Sequence, residues 1–205
     1  IGLEVAAVLR TQGLEVTVIE MADRILKRVT SEQMSQYMTE LHCSHGVEIK
    51  TATQIKNITG DGAIESVYCD DGIQYLVDFV VVGIGVSPNV CLAKQAGLEI
   101  NEGILVDEFS CTSDPDIFAA GDCTRHPSSI YDRLIRLESV QNANDQARIA
   151  AANICGKEVV YNMVPWFWSD QYKVKLQMVG LSDGYDEVVC RGNPDQAAQK
   201  GLYGT

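Results

Sequence analysis

The sequence lacks the features of a membrane-spanning or nucleic-acid-binding chain. Its longest apolar run, around residues 79–85, is far shorter than the roughly 20 residues that cross a bilayer, and no basic segment precedes an apolar leader. Basic residues are few, since 16 Lys and Arg against 28 Asp and Glu give a formal net charge of −12. Because such a surface repels phosphate backbones and anionic lipid, we expect no nucleic acid and no membrane among the partners.

The cysteines lack a Cys-x-x-Cys pair, and their number, seven, is odd. This usage is typical of reduced, structural cysteines in a cytosolic protein, so we expect a cytoplasmic location. His42, Cys43 and His45 have the residue types of a metal site. They end a helical pattern just before Gly46, and we therefore expect structural roles and no metal.

What the sequence does contain is the pattern of an α/β protein. Its 205 residues, 46% of them hydrophobic, suffice for a sizeable core. Helix-forming residues 1–10 are followed by Gly13 and by a β-branched strand over residues 15–20. This order is the second half of a β-α-β unit, so we expect the chain to begin inside a motif whose first strand would precede Ile1.

The following residues complete a first unit. Thr30 and Gln33 form a capping-box pattern, which predicts an amphipathic helix that ends at Gly46. Turn signals between short alternating runs then predict an antiparallel meander over residues 51–78. The continuous apolar run over residues 78–85 predicts a strand buried on both faces of a parallel sheet.

The second part of the chain starts the pattern again. Three short elements are predicted: a helix over residues 90–96, a hairpin at residues 103–107 and a strand over residues 117–120. A long helix over residues 139–155 follows, and Gly156 ends it. Beyond Pro165 the aromatic, strand-like residues predict the start of another domain.

Gly2 and Glu20 have the spacing of a dinucleotide site. Glu20 ends the first predicted strand, 18 residues after Gly2. In dinucleotide folds the last glycine of G-x-G-x-x-G lets the helix pack closely on the sheet, and an acidic residue about 20 positions later accepts hydrogen bonds from ribose hydroxyls. Because a glutamate repels a 2′-phosphate, the pair favours NAD over NADP. A helix glycine and a surface glutamate would give the same pattern.

Residues 112–123 carry a second and more specific pattern, which ends in Gly121 and Asp122. An aspartate at the end of a strand can accept hydrogen bonds from a polyol, while the glycine lets the backbone come close. Ser139 caps the next helix, and the free N–H groups that begin at Val140 offer positive potential to a carbonyl oxygen.

Several spaced motifs together indicate a family. They are residues 1–6 (IGLEVA), 81–86 (VVGIGV), 112–123, 165–172 (PWFWSDQY), 178–181 (MVGL) and 184–186 (GYD). With them the chain resembles, over essentially its whole length, the FAD-dependent ferredoxin reductases of bacterial oxygenase systems, within the pyridine nucleotide-disulfide oxidoreductase superfamily. The resemblance implies FAD and NAD as cofactors and electron transfer from NADH through FAD to an iron–sulfur ferredoxin.

The resemblance also implies roles for single residues. Six positions carry over: Glu4, Gly83 and Gly85 to the nicotinamide, and Asp122, Val140 and Trp168 to FAD. Asp122 would bind the ribityl chain, the backbone at Val140 would contact the flavin, and Trp168 would lie beside it, although aromatic residues at the start of a domain also serve interdomain packing. Hydride transfer needs positioning and electrostatics, so no catalytic acid or nucleophile is expected.

The arginines of the second part suggest a docking surface. Arg148 matches a basic residue on the ferredoxin-docking face of the family, and Arg133 and Arg136 lie near the flavin motifs. Residues 1–110 hold nine of the twelve net negative charges, so the remainder is less acidic and leaves room for an acidic ferredoxin. The sequence leaves open whether the protein forms a homodimer.

These observations predict an α/β fold of Rossmann-like dinucleotide-binding units in a three-layer arrangement, with an antiparallel meander insert and the start of an α+β C-terminal domain. We assign residues 1–85 to an NAD-binding domain without its first strand, 86–162 to the second half of an FAD-binding domain, and 163–205 to a truncated C-terminal, dimerisation-like domain. The chain is therefore expected to be a fragment that retains little FAD and is inactive alone.

Two other functions stay open. An NADH oxidase or peroxidase would use a redox cysteine in an upstream region, and the motif at residues 165–172 favours the reductase over it. A protein similar to apoptosis-inducing factor would bind FAD and NADH but signal through partners. Such proteins tend to carry basic surfaces or targeting segments, and this chain has neither.

Overall fold

The computed structural model describes residues 1–191 and the backbone of the strand Leu202–Gly204. The helices are α1 (Gly2–Thr11), α2 (Glu32–Ser44), α3 (Cys91–Gln95) and α4 (Val140–Ile154). The strands are β1 (Thr17–Ile19), β2 (Glu48–Lys50), β3 (Ile55–Thr59), β4 (Ser66–Cys69), β5 (Gln74–Leu76), β6 (Ile104–Leu105), β7 (Thr124–Ser128), β8 (Arg133–Ile135), β9 (Trp166–Gln171), β10 (Val174–Val179), β11 (Val188–Cys190) and β12 (Leu202–Gly204).

The chain forms two compact units. The first comprises Ile1–Ile84, Ser169–Leu176 and the chain from residue 181 onward, and the second comprises Gly85–Trp168 with Gln177–Gly180. The mixture of helices with parallel and antiparallel strands is the α/β class that the sequence predicts. Within the described part of the chain, no helix has the length and apolar character that crossing a bilayer requires.

The first unit is built on a β-α-β arrangement. Helix α1 ends before Gly13, whose φ of +89° is the left-handed conformation that favours glycine at a helix end. Strands β1 and β2 then pair in parallel with α2 between them in the chain. Leu3, Ile25 and Met38 form the buried core cluster of this unit. The two predicted helices and the predicted strand over residues 15–20, observed as β1, are thus confirmed.

The predicted capping box of α2 is displaced by one residue. The N-cap is Ser31, whose hydroxyl oxygen accepts a 3.4 Å hydrogen bond from the N–H of Met34. Thr30 is buried instead, and its hydroxyl lies 3.3 Å from the carbonyl oxygen of Leu26. Because the Thr30 side chain belongs to the preceding turn, the next residue caps the helix.

The meander follows as predicted, with β3, β4 and β5 in antiparallel order. The predicted buried strand over residues 78–85 is wrong: this segment forms no strand, and its apolar side chains are largely exposed, Ile84 to 89%. A buried strand needs neighbours that pair its backbone N–H and C=O groups, and no described strand pairs with this segment. Apolar composition alone does not supply those partners.

The second unit is built on a three-stranded sheet. Strand β7 pairs in parallel with β6 and antiparallel with β8. The predicted hairpin at residues 103–107 is displaced toward the N-terminus: Ile104 in β6 forms an antiparallel bridge with Ile100. The predicted strand at 117–120 is reduced to a bridge between Cys111 and Phe118. Helix α4 is confirmed, with its N-cap at Ser139 and Gly156 at φ +74° beyond its end. Strands β9 and β10 then form a two-stranded sheet, as the aromatic segment predicts.

Candidate functional site

Gly2 and Gly83, two of the residues predicted for NAD binding, are brought together in the first unit. A Cβ atom added at Gly83 would lie 3.3 Å from the Cα of Gly2 and 3.5 Å from its nitrogen. A Cβ added at Gly2 would meet no atom within 4 Å. The close approach therefore depends on Gly83, whereas the sequence pattern attributes it to Gly2.

Glu4 lies in the first turn of α1, two residues after Gly2. Its Oε1 accepts a 2.7 Å hydrogen bond from the hydroxyl of Ser169, the residue that follows Trp168 in β9. Glu4 is therefore an acceptor held at the same end of α1 that Gly83 approaches.

Glu20 directly follows β1, as the dinucleotide pattern requires. Its backbone N–H donates a 2.8 Å hydrogen bond to the carbonyl oxygen of Lys50 in the neighbouring strand β2. Its Oε1 accepts a 2.8 Å hydrogen bond from the N–H of Ala22, which fixes the side chain in a local turn. A carboxylate accepts several hydrogen bonds, so Glu20 keeps acceptor capacity for ribose hydroxyls.

Gly85 completes the residues predicted to face the nicotinamide. Its φ is +103°, a conformation that L-residues rarely adopt, so a glycine is required there for backbone reasons alone. Its role toward a cofactor stays a prediction.

In the second unit, Gly121 is fixed by a buried side chain. Its φ is +88°, and its N–H donates a 2.7 Å hydrogen bond to Oε1 of Gln146 in α4. The hydroxyl of Thr124 lies 2.8 Å from both the Gly121 carbonyl oxygen and Gln146 Oε1. Asp122 follows directly and is exposed. The loop thus presents the Asp122 carboxylate from a rigid, hydrogen-bonded turn.

Gln146 is a residue that the sequence analysis missed. It is fully buried, and its Nε2 has no hydrogen-bond partner among the described residues. The signal that could have found it is its spacing of four from Asn142, since two amides then share the buried face of α4. A buried N–H group without a partner costs stability, so this amide favours an additional acceptor at the turn.

Val140 is the first residue of α4 and lies directly after the Ser139 cap. The Ser139 hydroxyl oxygen accepts a 3.1 Å hydrogen bond from the N–H of Asn142. The backbone N–H of Val140 belongs to the first turn, where no intrahelical acceptor exists, and its side chain is 58% exposed. This helix end offers N–H groups and positive potential to an acceptor on a ligand.

A buried polar cluster supports the start of α4. The Tyr161 hydroxyl donates a 2.8 Å hydrogen bond to Oδ1 of Asn142, and the Asn142 amide donates a 3.2 Å hydrogen bond to the Leu137 carbonyl oxygen. Burial raises the pKa of Tyr161 to about 12. The His126 ring meets Tyr161 edge-on, with ring centroids 4.9 Å apart, and burial lowers its pKa. The cluster keeps both rings neutral and the helix end fixed.

Trp168 lies beside Trp166 in β9, with ring centroids 5.1 Å apart and planes at 37°. The two side chains are 42% and 38% exposed. Alternation along the strand directs both indoles to the same side of β9. Each indole offers an aromatic face of the size that stacks against a ring system.

Two of the three arginines predicted for docking have acidic neighbours. Arg148 Nη1 lies 2.9 Å from Asp145 Oδ1, and Arg136 Nη1 lies 2.6 Å from Glu138 Oε1. Arg133 is exposed in β8. These ion pairs lie at the surface, where they contribute little stability and can exchange for a partner's carboxylates.

The histidines discussed as metal ligands have other partners. His42 is fully buried and hydrogen-bonded to Gln171 at 2.7 Å, and burial lowers its pKa. The His45 ring stacks on Tyr172, with centroids 3.7 Å apart. Among residues 1–191, no group of three metal-ligating side chains has the geometry to hold an ion.

Family models match two parts of the chain. Residues 1–147 match the model described as pyridine nucleotide-disulphide oxidoreductase, and residues 166–203 match the model described as reductase C-terminal. The second match begins at the first residue of β9, which carries Trp168 and Ser169.

Curated proteins and solved structures give the same picture. The chain is 46% identical to putidaredoxin reductase CamA from Pseudomonas putida over 94% of this chain and 46% of that protein. It is 49% identical to rhodocoxin reductase from Rhodococcus erythropolis over 95% of this chain and 46% of that protein. The covalent complex of putidaredoxin reductase and putidaredoxin contains a chain with a TM-score of 0.92 and 45% identity, covering 98% of this chain and 48% of that one. The chain thus spans about half the length of these relatives.

Proposed function

The chain belongs to the pyridine nucleotide-disulphide oxidoreductase family. We propose that it is part of an NADH-dependent flavoprotein reductase, which passes electrons through FAD to an iron–sulfur ferredoxin. The observation that carries the proposal is a repeated arrangement. Each unit places a carboxylate close to a glycine in the chain: Glu4 lies two residues after Gly2, which Gly83 approaches, and Asp122 directly follows Gly121, whose N–H is bonded to Gln146. Two such places, one in each unit, suit two dinucleotide cofactors.

The first unit is proposed to bind NADH. Glu20 would accept hydrogen bonds from the ribose hydroxyls and disfavour a 2′-phosphate by charge repulsion. Glu4 would meet the nicotinamide end, and Gly83 would face the ring, where its missing side chain allows a close approach. Gly85 follows Gly83 by two residues, begins the second unit, and keeps its predicted place in the same loop. In domain terms, residues 1–85 would be the NAD-binding domain.

The second unit is proposed to bind FAD. Asp122 would accept hydrogen bonds from the ribityl hydroxyls, on a turn that Gln146 holds. The N–H groups at Val140 would face a flavin carbonyl, and Trp168 would lie against the ring system. Residues 86–162 would then form the second half of an FAD-binding domain, and residues 163–205 the start of a C-terminal domain. When bound, FAD accepts a hydride from NADH and delivers the electrons to a one-electron acceptor.

The protein partner is proposed to be an acidic ferredoxin. The relatives named above include a reductase solved as a covalent complex with putidaredoxin. Arg148 and Arg136 would contact the ferredoxin by exchanging their present acidic neighbours for carboxylates of the partner. Arg133, exposed in β8, is proposed for the same surface. We further propose a cytoplasmic location. The oligomeric state of the full-length protein is to be measured.

The test uses the full-length flavoprotein with cytochrome c as the terminal electron acceptor. With NADH alone we expect slow cytochrome c reduction, and a ferredoxin from the same source should accelerate it by an order of magnitude or more. If no ferredoxin from that source accelerates the reaction although NADH reduces the flavin, the proposed partner is wrong. The oxidase alternative then predicts rapid oxygen consumption by the same sample.

A further inference from the structure

A chain of polar side chains runs through the first unit from the buried His42 to Glu4. His42 Nε2 lies 2.7 Å from Gln171 Oε1, and Gln171 Nε2 donates a 2.9 Å hydrogen bond to the Ser169 oxygen. Ser169 in turn donates a 2.7 Å hydrogen bond to Glu4 Oε1. The four residues come from α2, β9 and α1, and the contacts join residues up to 165 positions apart.

The hydrogen bonds in this chain can run in one direction only. The Ser169 hydroxyl donates to Glu4 Oε1, so its proton points to Glu4. The Ser169 oxygen must then accept from the NH₂ group of Gln171, which orients the Gln171 carbonyl oxygen toward His42. His42 therefore carries its proton on Nε2, and Nδ1 is an acceptor, with the Tyr172 hydroxyl 3.5 Å away.

Burial makes the chain rigid. His42 is 0% exposed and Gln171 is 1% exposed, so neither can exchange its partner for water. In such surroundings each hydrogen bond is strong, and an unpaired group is costly. The rigid end of the chain fixes Oε1 of Glu4 through the Ser169 hydroxyl.

We propose that Ser169, Gln171 and His42 are positioning residues that hold the Glu4 carboxylate in the orientation in which it meets the nicotinamide end of NADH. The inference rests on the proposed function, which places Glu4 at the nicotinamide. A carboxylate that is already held loses less side-chain freedom on binding, and this pre-organisation increases affinity. The expected loss without it is about two- to tenfold in dinucleotide affinity.

The test compares variants of the full-length flavoprotein. Ser169→Ala and Gln171→Ala should each raise the Kd for NAD⁺, measured by calorimetry, and the KM for NADH about two- to tenfold, with kcat within about twofold of the original value. Ser169→Thr keeps the hydroxyl and should restore both constants. Tyr172→Phe is the matched control, because it removes a hydroxyl beside His42 and leaves the three hydrogen bonds in place.

Two further measurements separate positioning from a general loss of structure. In the Glu4→Ala background, Ser169→Ala should change the Kd for NAD⁺ no further, because Ser169 then has no side-chain oxygen to hold. The ¹⁵N NMR shifts of the His42 ring should report a proton on Nε2 in the original protein and a changed pattern in Gln171→Ala.

An unchanged Kd for NAD⁺ in folded Ser169→Ala and Gln171→Ala would overturn the inference, and so would additive effects of Ser169→Ala and Glu4→Ala. Failure of the proposed function looks different. In that case the unsubstituted protein itself would not bind NAD⁺, and NADH would not bleach its flavin.

Discussion

The buried side chain of Gln146 holds Gly121 by a 2.7 Å hydrogen bond to its backbone N–H. The contact joins the middle of α4 to a turn 25 positions earlier in the chain, and it fixes Gly121 at a φ of +88°. Through this contact the helix that begins at Val140 and the turn that carries Asp122 become one rigid group.

Gln146→Leu removes the acceptor and leaves the Gly121 N–H unpaired. Because a buried donor without a partner costs about 1–3 kcal/mol, we expect the free energy of unfolding to fall by that amount and the purified full-length protein to retain less FAD. The measurements are denaturant unfolding and the flavin-to-protein absorbance ratio. Asn144→Leu, an exposed change on the same helix, is the control and should alter neither. Full flavin content in Gln146→Leu would contradict the prediction.

Gly83→Ala places a methyl group 3.3 Å from the Cα of Gly2. We expect a loss of about 1–2 kcal/mol in the free energy of unfolding, because backbone at a helix start must shift to make room. Gly2→Ala is the reciprocal change, and since its Cβ meets no atom within 4 Å, it should be neutral or slightly stabilising. If Gly2→Ala and Gly83→Ala lower the free energy of unfolding equally, a steric clash of the added methyl group with Gly2 is not the cause.

The histidines predict a pH dependence of stability. Burial lowers the pKa of His42 and of His126 in the folded protein, so the unfolded chain binds protons first as the pH falls. The stability from these two sites is complete above the unfolded pKa of about 6.5 and declines below it, until the folded groups also take up protons. For each histidine, the free energy of unfolding should fall by at most about 1.4 kcal/mol for each unit by which the pH is lowered.

Urea unfolding between pH 8 and pH 5 checks this slope, in a window above the range where carboxylates titrate. His126→Phe removes one of the two sites and should reduce the slope. A free energy of unfolding that rises as the pH falls through 6.5 would contradict the assignment.

Arg148 provides a test of docking. Arg148→Glu should raise the KM for ferredoxin several-fold at low salt, and the effect should shrink as the ionic strength rises, because surface charges are screened. Reduction of ferricyanide by NADH should stay unchanged. Lys94→Glu on α3 makes the same charge change at another exposed position and is the control. Equal effects of the two changes would indicate net charge rather than a docking surface.

Local signals made much of the fold predictable. Helix α4 begins at the Ser139 cap and ends before Gly156, because both signals act within a few residues of the helix ends. Strand β7 is not predicted from the sequence, because residues 124–128 (TRHPS) have little strand propensity. Its extended conformation depends on pairing with β6 and β8. The segment at residues 78–85 shows the converse, an apolar run without paired neighbours.

The candidate site divides in the same way. Gly121 and Asp122 were identifiable because their motif is continuous in the sequence. Gln146 was not, because its role depends on a contact between a helix and a turn. The contact between His42 and Gln171, 129 positions apart, is likewise a product of tertiary packing that neither residue's local pattern indicates.

The most direct test of the central claim is an anaerobic titration of the full-length protein with NADH, followed by the visible absorbance of its flavin. We expect the purified protein to carry FAD, about one equivalent of NADH to bleach it, and NADPH at the same concentration to act far more slowly, because Glu20 repels a 2′-phosphate. A protein without flavin, or a flavin that stays oxidised in excess NADH, would contradict the claim.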